Sequence, residues 1–157
     1  MSSPNGTAVF LPPSAAQGLA NYPHARATPN DTTSTTLYVS GTSSRRGDGT
    51  YAGYSVGGDG RAVLDVAEQT TAVLTNIKRV IETATDGKCG LESVIEATIF
   101  LTDMKDYKRM NDVWNTFFPE RTAAPARTCV QVAALPNEKL CVEIKSIAIV
   151  PVDVRSS

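Results

Sequence analysis

The deciding stretch of this chain is Ala124-Pro125-Ala126-Arg127-Thr128-Cys129-Val130-Gln131-Val132. It predicts a β-strand, because β-branched residues dominate after a proline that ends the preceding segment. Alternation along a strand puts Arg127, Cys129 and Gln131 on one face. An arginine is rarely buried without a partner, and its guanidinium binds a carboxylate through two parallel hydrogen bonds. The strand therefore offers a candidate carboxylate-binding group.

A second strand is predicted for Leu140 to Val150, after a short loop that contains a proline and an asparagine. Its alternation places Cys141, Glu143 and Lys145 on one face. Arg127 and Glu143 can then face each other across neighbouring strands or across a subunit interface. A purely structural salt bridge is the alternative that the spacing alone leaves open.

The composition is that of an ordinary globular domain. The chain has 157 residues, 41% hydrophobic and 20% charged, with a formal net charge of −1. This charge gives no electrostatic reason to expect nucleic acid or an anionic membrane as partner. No apolar run approaches the ~20 residues of a membrane span. The lack of a secretory signal pattern and the three cysteines lead us to expect a cytoplasmic protein with reduced thiols.

Proline and small residues mark the ends of the expected domain. We expect an N-terminal extension over residues 1–20, one domain over residues 21–152 and a C-terminal tail over residues 153–157. Within the extension, Ala8 to Leu11 is a possible short strand.

Two helices are predicted. Asp65 occupies the N-cap position of the first, with Glu68 three residues on, and Gly87 ends it. At ~1.5 Å per residue this helix is about 30 Å long. Asp103 caps the second helix, and Pro119 stops it. The apolar stripe of the second helix predicts core rather than a cofactor site, and it consists of Met104, Tyr107, Met110, Trp114 and Phe117 or Phe118.

A further strand is predicted at Val94 to Leu101. Alternation places Ile95, Ala97, Ile99 and Leu101 on one side of it. The order of elements is then strands, helix, strand, helix, strand, strand. This order predicts an α+β fold with the helices on one face of the sheet.

The residues Pro-Ala-Arg-Thr-Cys-Val-Gln-Val at 125–132, followed by Leu135-Pro136 and Val142-Glu143-Ile144, resemble the C-terminal signature of the YjgF/RidA family. The resemblance covers about Tyr22 to Val150. Members of this family are reactive intermediate deaminases, which hydrolyse enamines and imines of 2-keto acids and release ammonia. The resemblance implies a chorismate-mutase-like fold, with a mostly antiparallel sheet and two helices on one face. It also implies a homotrimeric barrel with sites in the clefts between subunits.

The resemblance implies a role for three residues of the two C-terminal strands. Arg127 would hold the carboxylate of the substrate. Glu143 would position or deprotonate the attacking water, or relay the proton to the departing nitrogen. Cys129 would shape the pocket, and a nucleophilic role is weaker because no histidine neighbours it in the motif.

Three more residues match positions that contact substrate in the family. Ser40 and Gly41 match the Ser-Gly pair that ends an early strand. Asn111 matches the asparagine of a Phe/Tyr-x-x-x-Asn stretch, which here begins at Tyr107. An exposed helix residue is the alternative for Asn111.

Two departures from the family pattern are informative. The family has Gly-Pro-Tyr where this chain has Tyr22-Pro23-His24, so His24 replaces the tyrosine. A histidine suits proton transfer near neutral pH, although a surface or structural role is the alternative. After Gly41 the family continues with Gln and an apolar residue, whereas this chain continues with Thr42-Ser43-Ser44-Arg45-Arg46. One of these arginines can hold a second carboxylate, or both are solvated loop charges.

These departures resemble the 2-aminomuconate deaminase branch, whose substrate is an enamine with a carboxylate at each end. The predicted reaction converts 2-aminomuconate and water to 4-oxalocrotonate (2-hydroxymuconate) and ammonia. The expected partners are this small molecule and two further copies of the chain, without a metal or cofactor. One alternative is a general 2-iminobutanoate/2-iminopropanoate (2-aminoacrylate) deaminase. The other is a non-catalytic trimeric module that binds ligands or acts as a chaperone.

Overall fold

The computed structural model describes residues 3–152 of the chain. The predicted tail at 153–157 and the first two residues of the predicted extension lie outside the described residues. In chain order the strands are β1 Thr7–Val9, β2 Ala25–Pro29, β3 Ser34–Thr42, β4 Tyr54–Val56, β5 Ala62–Leu64, β6 Val94–Leu101, β7 Ala126–Gln131 and β8 Val142–Pro151. The helices are α1 Val66–Ala84 and α2 Tyr107–Phe117, with short 3₁₀ turns at Leu91–Ser93 and Met104–Asp106.

Six strands form one sheet in the order β1-β2-β3-β8-β6-β7. Within it β6 and β7 run parallel, and the other neighbouring pairs are antiparallel. β4 and β5 form a separate hairpin. Side chains of α1, α2, β6 and β8 meet in one core, with Leu74, Ile77, Ala97, Trp114 and Ile144 among them. The predicted α+β class, with both helices on one face of a mostly antiparallel sheet, is confirmed.

The first strand of the sheet lies in the predicted N-terminal extension. β1 pairs with β2, and Leu11 and Ala15 beyond it are buried in the core. The segment between β1 and β2 therefore packs against the domain and forms part of its surface.

The first predicted helix is confirmed as α1. The Asp65 carboxylate accepts hydrogen bonds from the amides of Ala67 and Glu68, so it satisfies two of the unpaired donors at the helix start. At the other end Gly87 has a φ of +76°, and its amide donates to the Glu82 carbonyl. Within residues 3–152, no helix combines the length and the apolar character that crossing a bilayer requires.

The predicted face of Ile95 is wrong. The register of β6 against β8 shifts between Val94 and Glu96, which is a β-bulge. The bulge turns Ile95 away from the core, so that it is 47% exposed, whereas Ala97 is buried.

The predicted stripe of the second helix is correct only in part. Met110 and Trp114 are buried, and Phe117 and Phe118 pack against the core. Met104 lies in the 3₁₀ turn before α2, and both it and Tyr107 are exposed.

The sheet face opposite the helices is open and partly apolar. Tyr38, Val130 and Ile149 are 48%, 39% and 43% exposed, because they alternate with residues that face the helices. Phe100 and Ile147 lie half-buried on the same face, in register with Glu143 and Tyr38 respectively. Apolar side chains gathered on an exposed face mark a surface suited to contact with another protein.

Gln69 is buried in α1 and joins three segments of the chain. Its Nε2 donates to the carbonyls of Gly53 at 3.2 Å and Lys139 at 2.8 Å, and its Oε1 accepts from the Cys141 amide at 2.9 Å. The bonds to Lys139 and Cys141 satisfy backbone groups directly before β8. They therefore set the point at which β8 begins, one residue before Glu143.

Replacing Gln69→Leu keeps the side-chain bulk but leaves the Lys139 carbonyl and the Cys141 amide without their partner. We expect the free energy of unfolding to fall by about 2–4 kcal/mol, measured by urea denaturation. The control is Lys78→Leu on the exposed side of the same helix, where we expect a loss of less than about 1 kcal/mol. Equal losses in the two variants would contradict the role given to the buried amide.

Candidate active site

Ser40 and Gly41 lie at an irregularity in the centre of the sheet. The register of β3 against β8 shifts between Val39 and Thr42, so these two residues form a bulge. The bulge brings the backbone of Gly41 against Glu143, and a Cβ atom at Gly41 would collide with Glu143 Oε1. A side chain at position 41 would therefore force the end of the Glu143 side chain to move. The structure thus places Gly41, one of the predicted site residues, directly against Glu143, another of them.

Glu143 is a half-buried acid without a partner. None of the residues from 3 to 152 donates a hydrogen bond to its carboxyl group or forms an ion pair with it. Burial raises the pKa of Glu143 above its ordinary value. A carboxyl group in this state suits exchange of a proton with a water or an amine at a pH closer to neutral.

A cavity of about 450 Å³ opens beside Ser40 and Gly41, which is a size suited to a small-molecule ligand. Its walls come from the segment between β1 and β2, the loop after β3 and one side of α1. Among the described residues three arginines and no acidic side chain line it, and we call it the arginine cavity. It is defined by Ala16, His24, Gly41, Arg45, Arg46 and Arg79.

His24 lines the arginine cavity, but both of its ring nitrogens are engaged by backbone groups. Nδ1 accepts from the Leu11 amide at 3.2 Å, and Nε2 donates to the Ala16 carbonyl at 2.7 Å. This pattern assigns the neutral tautomer with the proton on Nε2. His24 thus holds the segment between β1 and β2 in place. Its predicted part in proton transfer stays a prediction, since neither nitrogen is open to a ligand in this arrangement.

The remaining predicted residues of this region also line the cavity. The Ser40 hydroxyl donates to the Pro23 carbonyl at 2.6 Å, which leaves its oxygen free to accept a bond from a ligand. Arg45 Nη1 donates to the Gln17 carbonyl at 2.8 Å. Arg46 is more exposed, and its Nη1 donates to the Thr50 hydroxyl at 3.2 Å.

Arg127 lies in a second group of predicted residues, between β7 and α2. Its guanidinium carbon is 5.0 Å from the centroid of the Trp114 ring and 5.8 Å from that of Tyr107. Its Nη2 also donates to the Tyr107 hydroxyl at 3.3 Å. The two rings hold the guanidinium by cation–π attraction, and no acidic side chain of the described residues pairs with it. The Arg127 guanidinium is therefore held in position by the two rings, and its positive charge is not neutralised.

Asn111 and Cys129 lie on the same side of the sheet as Arg127. Asn111 Oδ1 is buried and accepts no hydrogen bond within the described residues, which is an unusual state for a polar atom. Burial raises the pKa of the Cys129 thiol, although the charge of Arg127 acts in the opposite direction. Cys129 is thus a thiol that packs against the core, which fits a role in shaping the site better than nucleophilic attack.

Arg127 and Glu143 do not meet within one copy of the chain. β6 lies between their strands, so the predicted contact across neighbouring strands is wrong. The two side chains also point to opposite faces of the sheet. Glu143 is in register with Phe100 and Phe100 with Val130 on the open face, whereas Arg127 contacts Trp114 on the helix face. The predicted alternative, a meeting across a subunit interface, stays a prediction.

Two contributors were missed by the sequence analysis. Trp114 was expected to be core alone, yet it also supports Arg127. Arg79 of α1 also lines the arginine cavity, and no pattern in the sequence analysis indicated it. Within residues 3–152, no group of three or more His, Cys, Asp and Glu side chains is arranged to hold a metal ion.

Comparison with known proteins extends these observations. The family model described as Endoribonuclease L-PSP matches residues 17–150. The chain is 44% identical over 87 residues to the RutC family protein slr0709 of Synechocystis, which is 55% of this chain and 63% of that protein. It is 37% identical over 93 residues to the 2-iminobutanoate/2-iminopropanoate deaminase of Escherichia coli, which is 57% and 68% of the two chains. The crystal structure of yeast Mmf1 matches with a TM-score of 0.70 at 27% identity, over 91% of this chain and 97% of that chain. In sequence the chain thus spans less than two thirds of the Synechocystis relative, whereas the likeness in fold to Mmf1 spans nearly all of both chains.

The raised pKa of Glu143 predicts how a Glu143→Gln variant responds to pH. The folded state binds the carboxyl proton more tightly than the unfolded state, whose pKa is near 4.5. This contribution to stability is fully present below about pH 4.5 and is lost as the pH rises through the folded-state pKa. Glutamine does not titrate, so we expect the variant to have the higher Tm at about pH 8. The difference should close at about pH 4, measured by thermal unfolding across that range.

The control for loss of a charge is Glu138→Gln, at an exposed position in the loop before β8. A Tm difference for Glu143→Gln that is constant across the pH range would contradict the proposed effect of burial.

Proposed function

This chain belongs to the endoribonuclease L-PSP family, also called YjgF/RidA, and we propose that it is a hydrolytic deaminase of enamine and imine carboxylic acids. The observation that carries the proposal is Glu143, a half-buried acid without a partner, set against the backbone of Gly41. The name of the 37% identical Escherichia coli relative, a 2-iminobutanoate/2-iminopropanoate deaminase, supports the same reaction class.

The proposed reaction divides into three tasks. The enamine tautomerises to the imine, water adds to the C=N carbon, and the resulting carbinolamine releases ammonia to leave a carbonyl. Arg127 binds the substrate carboxylate, because a guanidinium offers two parallel donors to it. Glu143 accepts a proton from the water and returns one to the departing nitrogen. Asn111 Oδ1 is closed off from solvent within one copy of the chain, so its predicted contact with the substrate stays a prediction.

We place the complete site between two copies of the chain in a homotrimer. Within one copy Arg127 and Glu143 lie on opposite faces of the sheet, so one copy does not close the site. The open sheet face carries Tyr38, Val130 and Ile149, which are exposed apolar side chains that a second copy would cover. A neighbouring copy that docks there would bring its own Arg127 towards Glu143.

Mixing of two inactive variants tests the shared site. We expect Arg127→Gln and Glu143→Gln each to release ammonia from freshly generated 2-iminobutanoate at least about 100-fold more slowly than wild type. When the two variants are unfolded together in equal amounts and refolded, each site draws its two residues from independent copies. About a quarter of the sites then hold both native residues, so about a quarter of the wild-type rate should return.

Each variant refolded alone is the control and should stay inactive. A mixture that stays as inactive as its components, although the mixed copies assemble, would contradict a site built from two copies.

We further propose that the substrate is 2-aminomuconate, as the branch resemblance implies. The arginine cavity is lined by Gly41, whose backbone lies against Glu143. Two of its arginines, Arg45 and Arg46, lie in the loop that departs from the family pattern. A substrate with a carboxylate at each end can place one on Arg127 and the other in this cavity. A monocarboxylate imine has no group that would use the second position.

The second carboxylate predicts a substrate preference. We expect kcat/KM for ammonia release to be at least about tenfold higher with 2-aminomuconate than with 2-iminobutanoate, since one charge-assisted contact supplies that factor. Preference for 2-iminobutanoate would contradict the dicarboxylate proposal and favour the general deaminase. Release from neither substrate would contradict the enzymatic proposal and favour a non-catalytic binding module.

A further inference from the structure

We propose that Arg79 of α1 is the residue that binds the second carboxylate in the arginine cavity. The loop arginines Arg45 and Arg46 line the same cavity but are not the binding group. The inference rests on the proposed function for its ligand, a linear dicarboxylate. It adds a residue on a different element, since Arg79 lies on α1 and belongs to none of the family motifs. Four observations carry it.

The first observation is the way in which α1 holds the loop after β3. Asn76 Nδ2 donates to the Ser43 carbonyl at 3.0 Å and to the Arg45 carbonyl at 3.4 Å. Asn76 and Arg79 are three residues apart on the helix, so they share one side of it. The bonds from Asn76 therefore place the loop that bears Arg45 and Arg46 alongside Arg79.

The second observation is that the arginines of the cavity differ in what already occupies them. Arg45 donates to the Gln17 carbonyl, so it joins the loop to the segment between β1 and β2. Arg46 donates to Thr50, and its charge also acts on the Asp48 carboxylate. No residue from 3 to 152 accepts a hydrogen bond from Arg79 or pairs with its charge.

The third observation is the charge of the walls. Three guanidinium groups and no carboxylate of the described residues line the cavity. Like charges gathered around a space with low-dielectric walls raise the local concentration of anions. A cavity of this composition selects an anionic ligand and disfavours a cationic one.

The fourth observation is the extent of the cavity. The same space of about 450 Å³ is lined by Gly41, next to Glu143, and by Arg79 on α1. The segment between β1 and β2 closes one side, where His24 and Arg45 hold it. A ligand that reaches Gly41, whose backbone lies against Glu143, can therefore extend its far end through this space towards Arg79. Arg45 acts as a positioning residue for the wall, and Arg79 is left as the binding group.

Two stable probes isolate the second carboxylate. trans,trans-Muconate and sorbate are both linear six-carbon dienoates, and sorbate lacks the carboxylate at one end. Binding of each to the full chain is measured by titration calorimetry for wild type and Arg79→Gln. We expect wild type to bind muconate at least about tenfold more tightly than sorbate, and Arg79→Gln to lose about 10- to 100-fold in affinity for muconate. The preference for muconate over sorbate should fall by the same factor.

The matched control is Arg61→Gln, which removes an arginine from an exposed position outside the cavity. It should retain the wild-type affinity for muconate, and Arg79→Lys should recover part of it because the positive charge is kept. Thermal unfolding checks that each variant is folded. Wild-type affinity for muconate in Arg79→Gln, or equal wild-type affinities for muconate and sorbate, would overturn the inference.

The result is distinguishable from failure of the proposed function. Muconate binding that depends on Arg79, in a protein that releases no ammonia from 2-aminomuconate, would uphold the carboxylate site and reject the reaction. Ammonia release from 2-aminomuconate with unchanged kcat/KM in Arg79→Gln would uphold the reaction and reject the site.

Discussion

The parallel pairing of β6 with β7 is the constraint from which the arrangement of the site follows. Parallel neighbours need a crossover connection, and α2 supplies it on the helix face of the sheet. β7 is thereby an edge strand, and Arg127 lies under the aromatic rings of α2. Glu143 in β8 lies beyond β6 and faces the other way. One copy therefore carries both charged groups without bringing them together.

Local patterns predict the elements of this fold well, because the signals lie within the elements themselves. The Asp65 cap and the apolar spacing that follows it are sufficient for α1, and alternation is sufficient for β6. The order of strands is not predictable in the same way, since pairing of distant segments leaves no local pattern. The insertion of β6 between β7 and β8 is such a case. The bulge that turns Ile95 outwards is another, because it depends on the register with β8.

The candidate site likewise has residues that local patterns predict and residues whose role depends on contacts between distant segments. The family motifs predict Ser40, Gly41 and Glu143 as site residues, and the structure brings these three together. The same motifs bear Arg127, but its separation from Glu143 arises only in the folded sheet. Arg79 lies in no motif, and its position becomes significant only once Asn76 has joined α1 to the loop after β3. Sequence patterns thus indicate the reacting end of the site and the loop arginines of its far end, but not Arg79.

Both ends of the site carry a cost in stability that a bound substrate can offset. Burial of the Glu143 carboxyl disfavours its charged form, and three arginines around one cavity repel one another. The first cost is imposed by the sheet, through the approach of Gly41 to Glu143. The second is imposed by α1, the loop after β3 and the segment between β1 and β2, which the sheet does not hold in register. The proposed chemistry and the proposed choice of substrate therefore depend on different parts of the fold. Changes in the cavity walls can alter which acid is bound while the strands that hold Glu143 stay in place.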